Sequence, residues 1–148
     1  MLKPTRILVP TDFSEYSDRA LSQALDIAKE YYAKLYLLHV LHDTLDYTGL
    51  DFINTEKMVK EFKNNALAWG RKCLELQLER FPHAGEVEVF TNIRKGVPYD
   101  EILKEAKDER IDLIVISSLG KTGIAKYLIG SVARNVLKGA KCPVLLTK

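Results

Sequence analysis

The chain has little of what small secreted, fibrous or membrane proteins are built from. It holds two cysteines, eight glycines and five prolines in 148 residues, too few for a disulfide framework or a low-complexity chain. No apolar run approaches the ~20 residues of a membrane-spanning helix. The apolar stretch near the start is too short for a signal peptide. We therefore expect a cytoplasmic protein with no membrane partner.

An excess of charge of one sign is also lacking. The chain carries 22 Lys and Arg against 20 Asp and Glu, a net charge of +2. This balance gives no electrostatic indication of a nucleic-acid partner, so none is expected. The hydrophobic fraction of 47% and the charged fraction of 28% are ordinary for a globular protein. The length suits a single domain, and we predict one over residues 1–148.

Strand and helix patterns alternate along the chain. Apolar or alternating segments predict strands at residues 6–11, 34–40, 86–92, 112–117 and 143–148. Apolar residues at helical spacing predict helices over about 15–32, 55–81, 98–109 and 131–139. Residues 41–54 are read as a long loop. The alternating order predicts an α/β fold, a Rossmann-like open sheet of five mostly parallel strands with helices on both faces.

Two local details of the helices can also be predicted. Asp12 or Ser14 is expected to cap the first helix, because both residue types accept hydrogen bonds from a helix N-terminus. In the second helix, Trp69, Leu67 and Leu74 are expected in the core rather than in a ligand site.

In parallel sheets, ligands bind beyond the carboxyl ends of the strands, where the strand order reverses. This rule selects the loops that begin at Thr11, Val40 and Ser117. It places candidate binding residues on three segments that are far apart in the sequence.

The segment after the fourth strand has the features of an anion site. Gly120 allows close approach of a ligand to the backbone. Gly130 and Ser131 place backbone N–H groups and a hydroxyl at a helix N-terminus, and Lys121 adds positive charge. Taken singly, Gly120 is also explained as a turn glycine and Ser131 as a helix cap. Together, these residues indicate a place for a phosphate.

Several familiar sites are excluded by their spacing. The Gly-Lys-Thr sequence at 120–122 is not a P-loop, because Val115 stands where that motif needs glycine. A dinucleotide-binding Gly-x-Gly-x-x-Gly is absent after the first strand. His39 and His42 point to opposite faces of a strand, which is a poor arrangement for metal ligands. No catalytic constellation can be assigned, so we predict neither an enzyme nor a metal site of the protein's own.

At this point the sequence resembles the universal stress protein family over essentially its whole length. The resemblance rests on the segments ILVPTDFS at 7–14, LHV at 38–40, GVPYDEI at 96–102, DLIVIS at 112–117, GSVARNV at 130–136 and CPVLL at 142–146. The ATP-binding branch of the family carries Gly-x2-Gly-x9-Gly-[Ser/Thr]. Gly120, Gly130 and Ser131 match this motif, whereas Ser117 replaces its first glycine and Leu119 its frequent histidine.

The resemblance implies an adenine nucleotide alpha hydrolase-like fold with a pocket for ATP or AMP. Asp12 would lie near the adenosine, Val40 and Ile116 beside the base, and the motif residues at the phosphates, with Mg or Mn bridging the phosphates of ATP. Ser117 would either crowd the ligand with its Cβ or donate a hydrogen bond. The predicted binding residues are Pro10, Thr11, Asp12, Val40, Ile116, Ser117, Gly120, Lys121, Gly130, Ser131 and Val132.

The expected function is a regulatory, non-metabolic one, in which a stress-response protein holds an adenine nucleotide. One alternative is a dimeric protein of the same fold that binds no nucleotide and acts through protein partners. Another is a slow ATP-hydrolysing switch. Against the switch, no general base can be assigned near the phosphates, since Asp12 is placed at the adenosine end.

The last strand also predicts an assembly. Residues 144–146 are apolar and fall at an edge of the predicted sheet, and such an edge favours aggregation unless it is paired or covered. We expect a homodimer through this strand, with Val144 and Leu146 in the interface. In the alternative, a helix or the loop at 41–54 covers the edge and the protein is a monomer.

Overall fold

A computed structural model of the chain describes residues 2–42, 56–120 and 128–148. Five strands form one parallel sheet in the order β3-β2-β1-β4-β5. The strands are β1 (Arg6–Pro10), β2 (Lys34–His42), β3 (Val89–Gly96), β4 (Leu113–Ser117) and β5 (Val144–Thr147). The helices are α1 (Glu15–Tyr31), α2 (Glu56–Glu79), α3 (Pro98–Asp108) and α4 (Ser131–Gly139), with a short 3-10 helix at Pro82–Glu86. The predicted α/β fold is confirmed.

Helices cover both faces of the sheet. Ile7 and Val9 of β1 pack on one face with α1 and α2, whereas Leu8 packs on the other with α3 and α4. Because β1 is buried on both sides, its sequence is a continuous apolar run rather than an alternating one. Among the described residues, none of the helices combines the length and apolar character needed to cross a bilayer.

At the ends of the elements, one predicted strand boundary differs from the structure, and one of the two predicted caps of the first helix is present. The third strand occupies Val89–Gly96 instead of 86–92, because the 3-10 helix takes up Glu86 and the strand pairs with β2 as far as Gly96. Ser14 caps α1 through its side chain, which accepts from the N–H of Ser17. Asp12 has another role, described below.

The expectation that Trp69 lies in the core is wrong, since its side chain is 70% exposed. The side of α2 that meets the sheet runs through Gly70, Leu74 and Gln77, which are all buried. A Cβ on Gly70 would lie 3.0 Å from Ile93, so the helix backbone lies close to β3 there. Trp69 stands about 100° away around the helix and faces outward.

Two sequence predictions fall on residues that the structure does not describe. The long loop predicted at 41–54 starts within β2, which includes Leu41 and His42, and its remaining residues lie outside the described part of the chain. Lys121, predicted to add charge at the phosphates, also lies outside it.

A cluster of charged side chains fixes α3 against β3. Arg94 of β3 is paired with Glu101, Glu105 and Asp108 of α3. Glu105 is only 2% exposed and also accepts hydrogen bonds from Asn92. Burial lowers the pKa of the Arg94 guanidinium, but hydrogen bonds to Asp108 and Glu105 outweigh burial and raise the pKa above its ordinary value. Arg94 therefore stays charged and offsets the buried carboxylate.

The first prediction tests this cluster. Arg94→Met leaves Glu105 buried without its counter-charge, and we expect the free energy of unfolding to fall by about 3–5 kcal/mol. Denaturant unfolding followed by circular dichroism measures the change. Lys104→Met, which removes an exposed cation from the same helix, is the control and should leave the midpoint nearly unchanged. Equal midpoints for the wild type and Arg94→Met would contradict this account of α3.

Candidate functional site

A cleft of about 360 Å³ opens at the carboxyl ends of β1, β2 and β4. It lies at the point where the sheet order reverses, because the chain proceeds from β1 outward to β2 and β3 and then returns to place β4 on the other side of β1. The loop after β1 leads to a helix on one face and the loop after β4 to a helix on the other. The two loops therefore diverge and leave a space between them.

The structure brings ten of the eleven predicted residues to this one cleft. Lys121 is the exception, since it lies outside the described residues. The residues that line the cleft as predicted are Pro10, Thr11, Asp12, Val40, Ile116, Ser117, Gly120, Gly130, Ser131 and Val132. They lie at or near the carboxyl ends of β1, β2 and β4, in the loops after β1 and β4, and at the start of α4, at the edge of the sheet that the rule for parallel sheets indicates.

Other lining residues were missed by sequence reasoning. His39 lies within β2 and is weighed in the sequence only as a metal ligand, although its place beside Val40 is a usable signal. Pro98 and Ile102 come from the start of α3, and nothing in their local sequence indicates a site. The remaining missed residues are Ser17, Leu38, Ser118, Leu119 and Ala133.

The turn between β1 and α1 is fixed at Thr11 by its neighbour β2. The N–H of Thr11 donates to the carbonyl of Leu38 at 2.8 Å. His39 Nδ1 lies 2.8 Å from the Thr11 carbonyl oxygen, to which it donates, and its ring packs against Phe13 with centroids 4.3 Å apart. Backbone groups on both sides of Thr11 are thus satisfied at the rim of the cleft.

Asp12 continues this turn into the cleft. Its Oδ1 accepts hydrogen bonds from the backbone N–H and the hydroxyl of Ser14, which is the cap of α1. Its Oδ2 lies only 2.7 Å from where a Cβ on Gly120 would stand. From the sequence, Asp12 is expected at the adenosine end of a nucleotide and Gly120 at its phosphates. The structure puts them side by side, so no such separation exists between them.

The loop after β4 is closed by backbone hydrogen bonds. The Ser118 N–H donates to Thr147 at 2.8 Å, and the Gly130 N–H donates to the Ser118 carbonyl at 2.7 Å. A Cβ on Gly130 would lie 3.2 Å from that carbonyl oxygen, so the two loop ends are in close contact. This contact holds the start of α4 beside the end of β4.

The hydroxyl of Ser117 is used within this loop, since it donates to the carbonyl of Leu119 at 2.7 Å. Of the two roles left open for Ser117, donation of a hydrogen bond to a ligand would require this internal bond to break. The side chain therefore shapes the turn that leads to Gly120.

The N-terminus of α4 faces the cleft. Ser131, Val132 and Ala133 form its first turn and line the cleft. The N–H groups of a first turn have no carbonyl partner inside the helix, and the helix dipole makes this end electropositive. Gly130 supplies the N-cap without a side chain in the way. The arrangement suits an anion held by backbone donors.

Another part of the cleft lining is apolar. Its floor is formed by buried side chains of β2, β4 and α3, namely Leu38, Ile116 and Ile102, with Val40 and Pro98 beside them. An apolar slot next to a helix N-terminus suits a ligand with one flat apolar part and one anionic part.

The described lining residues do not form a metal site of their own. Within the described ranges, no group of three or more His, Cys, Asp or Glu side chains is placed to hold an ion. Asp12 is the one carboxylate among the described lining residues, and metal sites built from protein need more ligands than that.

The second prediction concerns Ser117. Ser117→Ala removes the hydrogen bond to Leu119, and we expect the free energy of unfolding to fall by about 0.5–1.5 kcal/mol. Ser118→Ala, which keeps the backbone bonds of its loop, serves as the control. The measurement is thermal or denaturant unfolding of the three proteins. A Ser117→Ala variant as stable as the wild type would show that the hydroxyl does not hold this turn.

Comparison with known proteins agrees with the observed fold and with the resemblance of the sequence to the universal stress protein family. The sequence model of the universal stress protein family matches residues 4–148. Universal stress protein MJ0531 of Methanocaldococcus jannaschii is 35% identical over 143 residues, which cover 97% of this chain and 81% of that protein.

Solved structures give the same result. Protein MJ0577 of Methanocaldococcus jannaschii superposes with a TM-score of 0.84 and 32% identity, covering 99% of this chain and 97% of that one. A universal stress protein crystallised in complex with cAMP superposes with a TM-score of 0.69 and 25% identity, covering 99% and 98%. The chain belongs to the universal stress protein family.

Proposed function

We propose that the protein binds an adenine nucleotide, ATP or AMP, in the cleft between the loops after β1 and β4. The observation that carries the proposal is the N-terminus of α4, which opens into the same cleft as the apolar slot. In this arrangement the base packs in the slot near Val40 and Ile116. The phosphate accepts hydrogen bonds from the first-turn N–H groups of α4 and from the Ser131 hydroxyl.

A related protein supports the choice of nucleotide. The family member that superposes with a TM-score of 0.69 was crystallised with cAMP, which joins an adenine base to a phosphate. A ligand of that chemistry fits a cleft with one apolar and one anion-binding part. The cleft volume of about 360 Å³ is in the usual range for small-molecule sites.

The proposed role is regulatory and not metabolic. Asp12 and His39 are both bonded to the β1–α1 turn, where their described contacts hold the backbone. Contacts of this kind support a binding role rather than a catalytic one.

The described lining offers a single carboxylate to a metal ion. Mg or Mn would therefore accompany ATP on its phosphate oxygens. Since Asp12 lies against Gly120, slow hydrolysis is the second candidate, and release of inorganic phosphate from ATP would favour it.

We further propose that the protein forms a homodimer through β5. This strand pairs with β4 on one side only and lies at the edge of the sheet. The carbonyls of Pro143 and Thr147 accept hydrogen bonds from Ile114 of β4 and from Ser118, the residue after β4. The backbone groups of the alternate residues, Val144 and Leu146, therefore point away from β4. Antiparallel pairing of two such strands would satisfy these groups by two-fold symmetry.

The third prediction tests the anion site. Ser131→Ala removes one charge-assisted hydrogen bond to phosphate, and we expect the Kd for AMP to rise roughly ten- to hundredfold, which corresponds to about 1.5–3 kcal/mol. Isothermal titration calorimetry measures the affinity. Ser22→Ala, on the exposed side of α1, is the control and should bind like the wild type. Gly130 is a poorer probe, because a side chain there disturbs the loop itself.

The same titrations test the proposal that the protein binds an adenine nucleotide. If the wild type binds neither AMP nor ATP with Mg at millimolar concentration, the proposed function is wrong. If it binds both but Ser131→Ala binds them equally well, the phosphate does not lie at α4.

The fourth prediction concerns assembly. Light scattering should give the mass of a dimer at micromolar concentration for the wild type. Leu146→Pro removes a backbone donor that faces away from β4, and we expect a monomer. Leu146→Val keeps the donor and should remain a dimer. A monomeric mass for the wild type throughout that concentration range would contradict the assembly.

A further inference from the structure

Gln77 lies on α2, outside the cleft lining, but it is bonded directly to the turn that enters the cleft. Its side chain is 1% exposed. The Oε1 atom accepts a hydrogen bond from the hydroxyl of Thr11 at 2.8 Å. The two residues are 66 positions apart in the sequence, so the contact joins two elements that no local motif connects.

The orientation of the Gln77 amide is fixed from its other side. Its Nε2 lies 2.8 Å from Oδ1 of Asp18, and Arg80 donates to both oxygens of that carboxylate at 2.9 Å. A carboxylate only accepts hydrogen bonds, so the amide must present its N–H group to Asp18 and its oxygen to Thr11. The hydrogen of the Thr11 hydroxyl is therefore directed at Gln77.

This direction leaves the oxygen lone pairs of the hydroxyl for the backbone of the turn. Thr11 Oγ1 accepts the N–H of Phe13 at 3.1 Å. The hydroxyl of Ser17 lies 3.0 Å from Thr11 Oγ1 and donates to the carbonyl of Ser14 at 2.8 Å. Phe13 has a φ of 64°, in the left-handed region that is unfavourable for a side chain of this size. The surroundings must hold such a residue in place. Between Thr11 and Phe13 stands Asp12, whose carboxylate lies in the cleft.

We propose that Gln77 is a positioning residue for nucleotide binding, acting through Thr11 on the turn that carries Asp12. The inference rests on the proposed function, and it makes α2 a determinant of the affinity of a cleft that no described residue of α2 lines.

Gln77→Leu keeps the bulk of the side chain and removes the bond to Thr11. We expect the Kd for AMP to rise roughly three- to tenfold, the effect of one lost neutral hydrogen bond. Leu74→Ala is the matched control, because it destabilises the same helix in the same core and removes no hydrogen bond of the turn. At a temperature where circular dichroism shows every variant folded, Leu74→Ala should bind AMP like the wild type.

A double-mutant cycle separates positioning from general destabilisation. If Gln77 acts through the turn, its loss should have little further effect on AMP affinity in an Asp12→Ala background. Independent effects would multiply instead. Thr11→Val should reproduce the loss in Gln77→Leu, and Thr11→Ser, which keeps the hydroxyl, should restore binding.

A measurement without ligand completes the test. The Phe13 amide should exchange its hydrogen with deuterium faster in Gln77→Leu than in the wild type, and Leu74→Ala should not show this selective change. If the wild type binds AMP and Gln77→Leu binds it equally well, or if the Phe13 amide is unaffected, the inference is overturned and the proposed function stands. If the wild type binds no adenine nucleotide, the proposed function fails and the inference fails with it.

Discussion

The positions of all the cleft residues depend on the crossover that places β4 beside β1. Because the helices that follow these two strands lie on opposite faces of the sheet, the loops at the strand ends must diverge. The space between them is bounded by the ends of β1, β2 and β4 and by the first turn of α4. Folding of the sheet therefore creates the site, and the side chains refine a space that the topology has already produced.

Much of the chemistry in this space belongs to the backbone. The start of α4 offers N–H groups, and Gly130 brings the helix within hydrogen-bond distance of the β4 loop. On the other side, Thr11 is held through its N–H, its carbonyl and its hydroxyl. A rigid turn that faces a helix N-terminus can bind an anion without much reorganisation, which lowers the entropic cost of binding.

The sequence predicted those features that local patterns encode. The apolar runs of β1 and β4 and the Gly130-Ser131 helix start were recognised because burial on both faces and an open helix N-terminus each require particular residues. Features that depend on packing between distant segments were not predicted. Trp69 lies one position away from the buried side of α2, so helical spacing alone misplaced it. Gln77 carries no local signal at all, because its partner Thr11 is distant in the sequence.

The central claim is that an adenine nucleotide places its phosphate at the N-terminus of α4. It is tested most directly by following the backbone amides of Ser131, Val132 and Ala133 by nuclear magnetic resonance during titration with AMP and with adenosine. The account predicts that AMP shifts these three amides strongly, and that adenosine, which lacks the phosphate, affects mainly residues of the apolar slot such as Val40. If AMP left the three amides unchanged while binding elsewhere, or did not bind, the account would be contradicted.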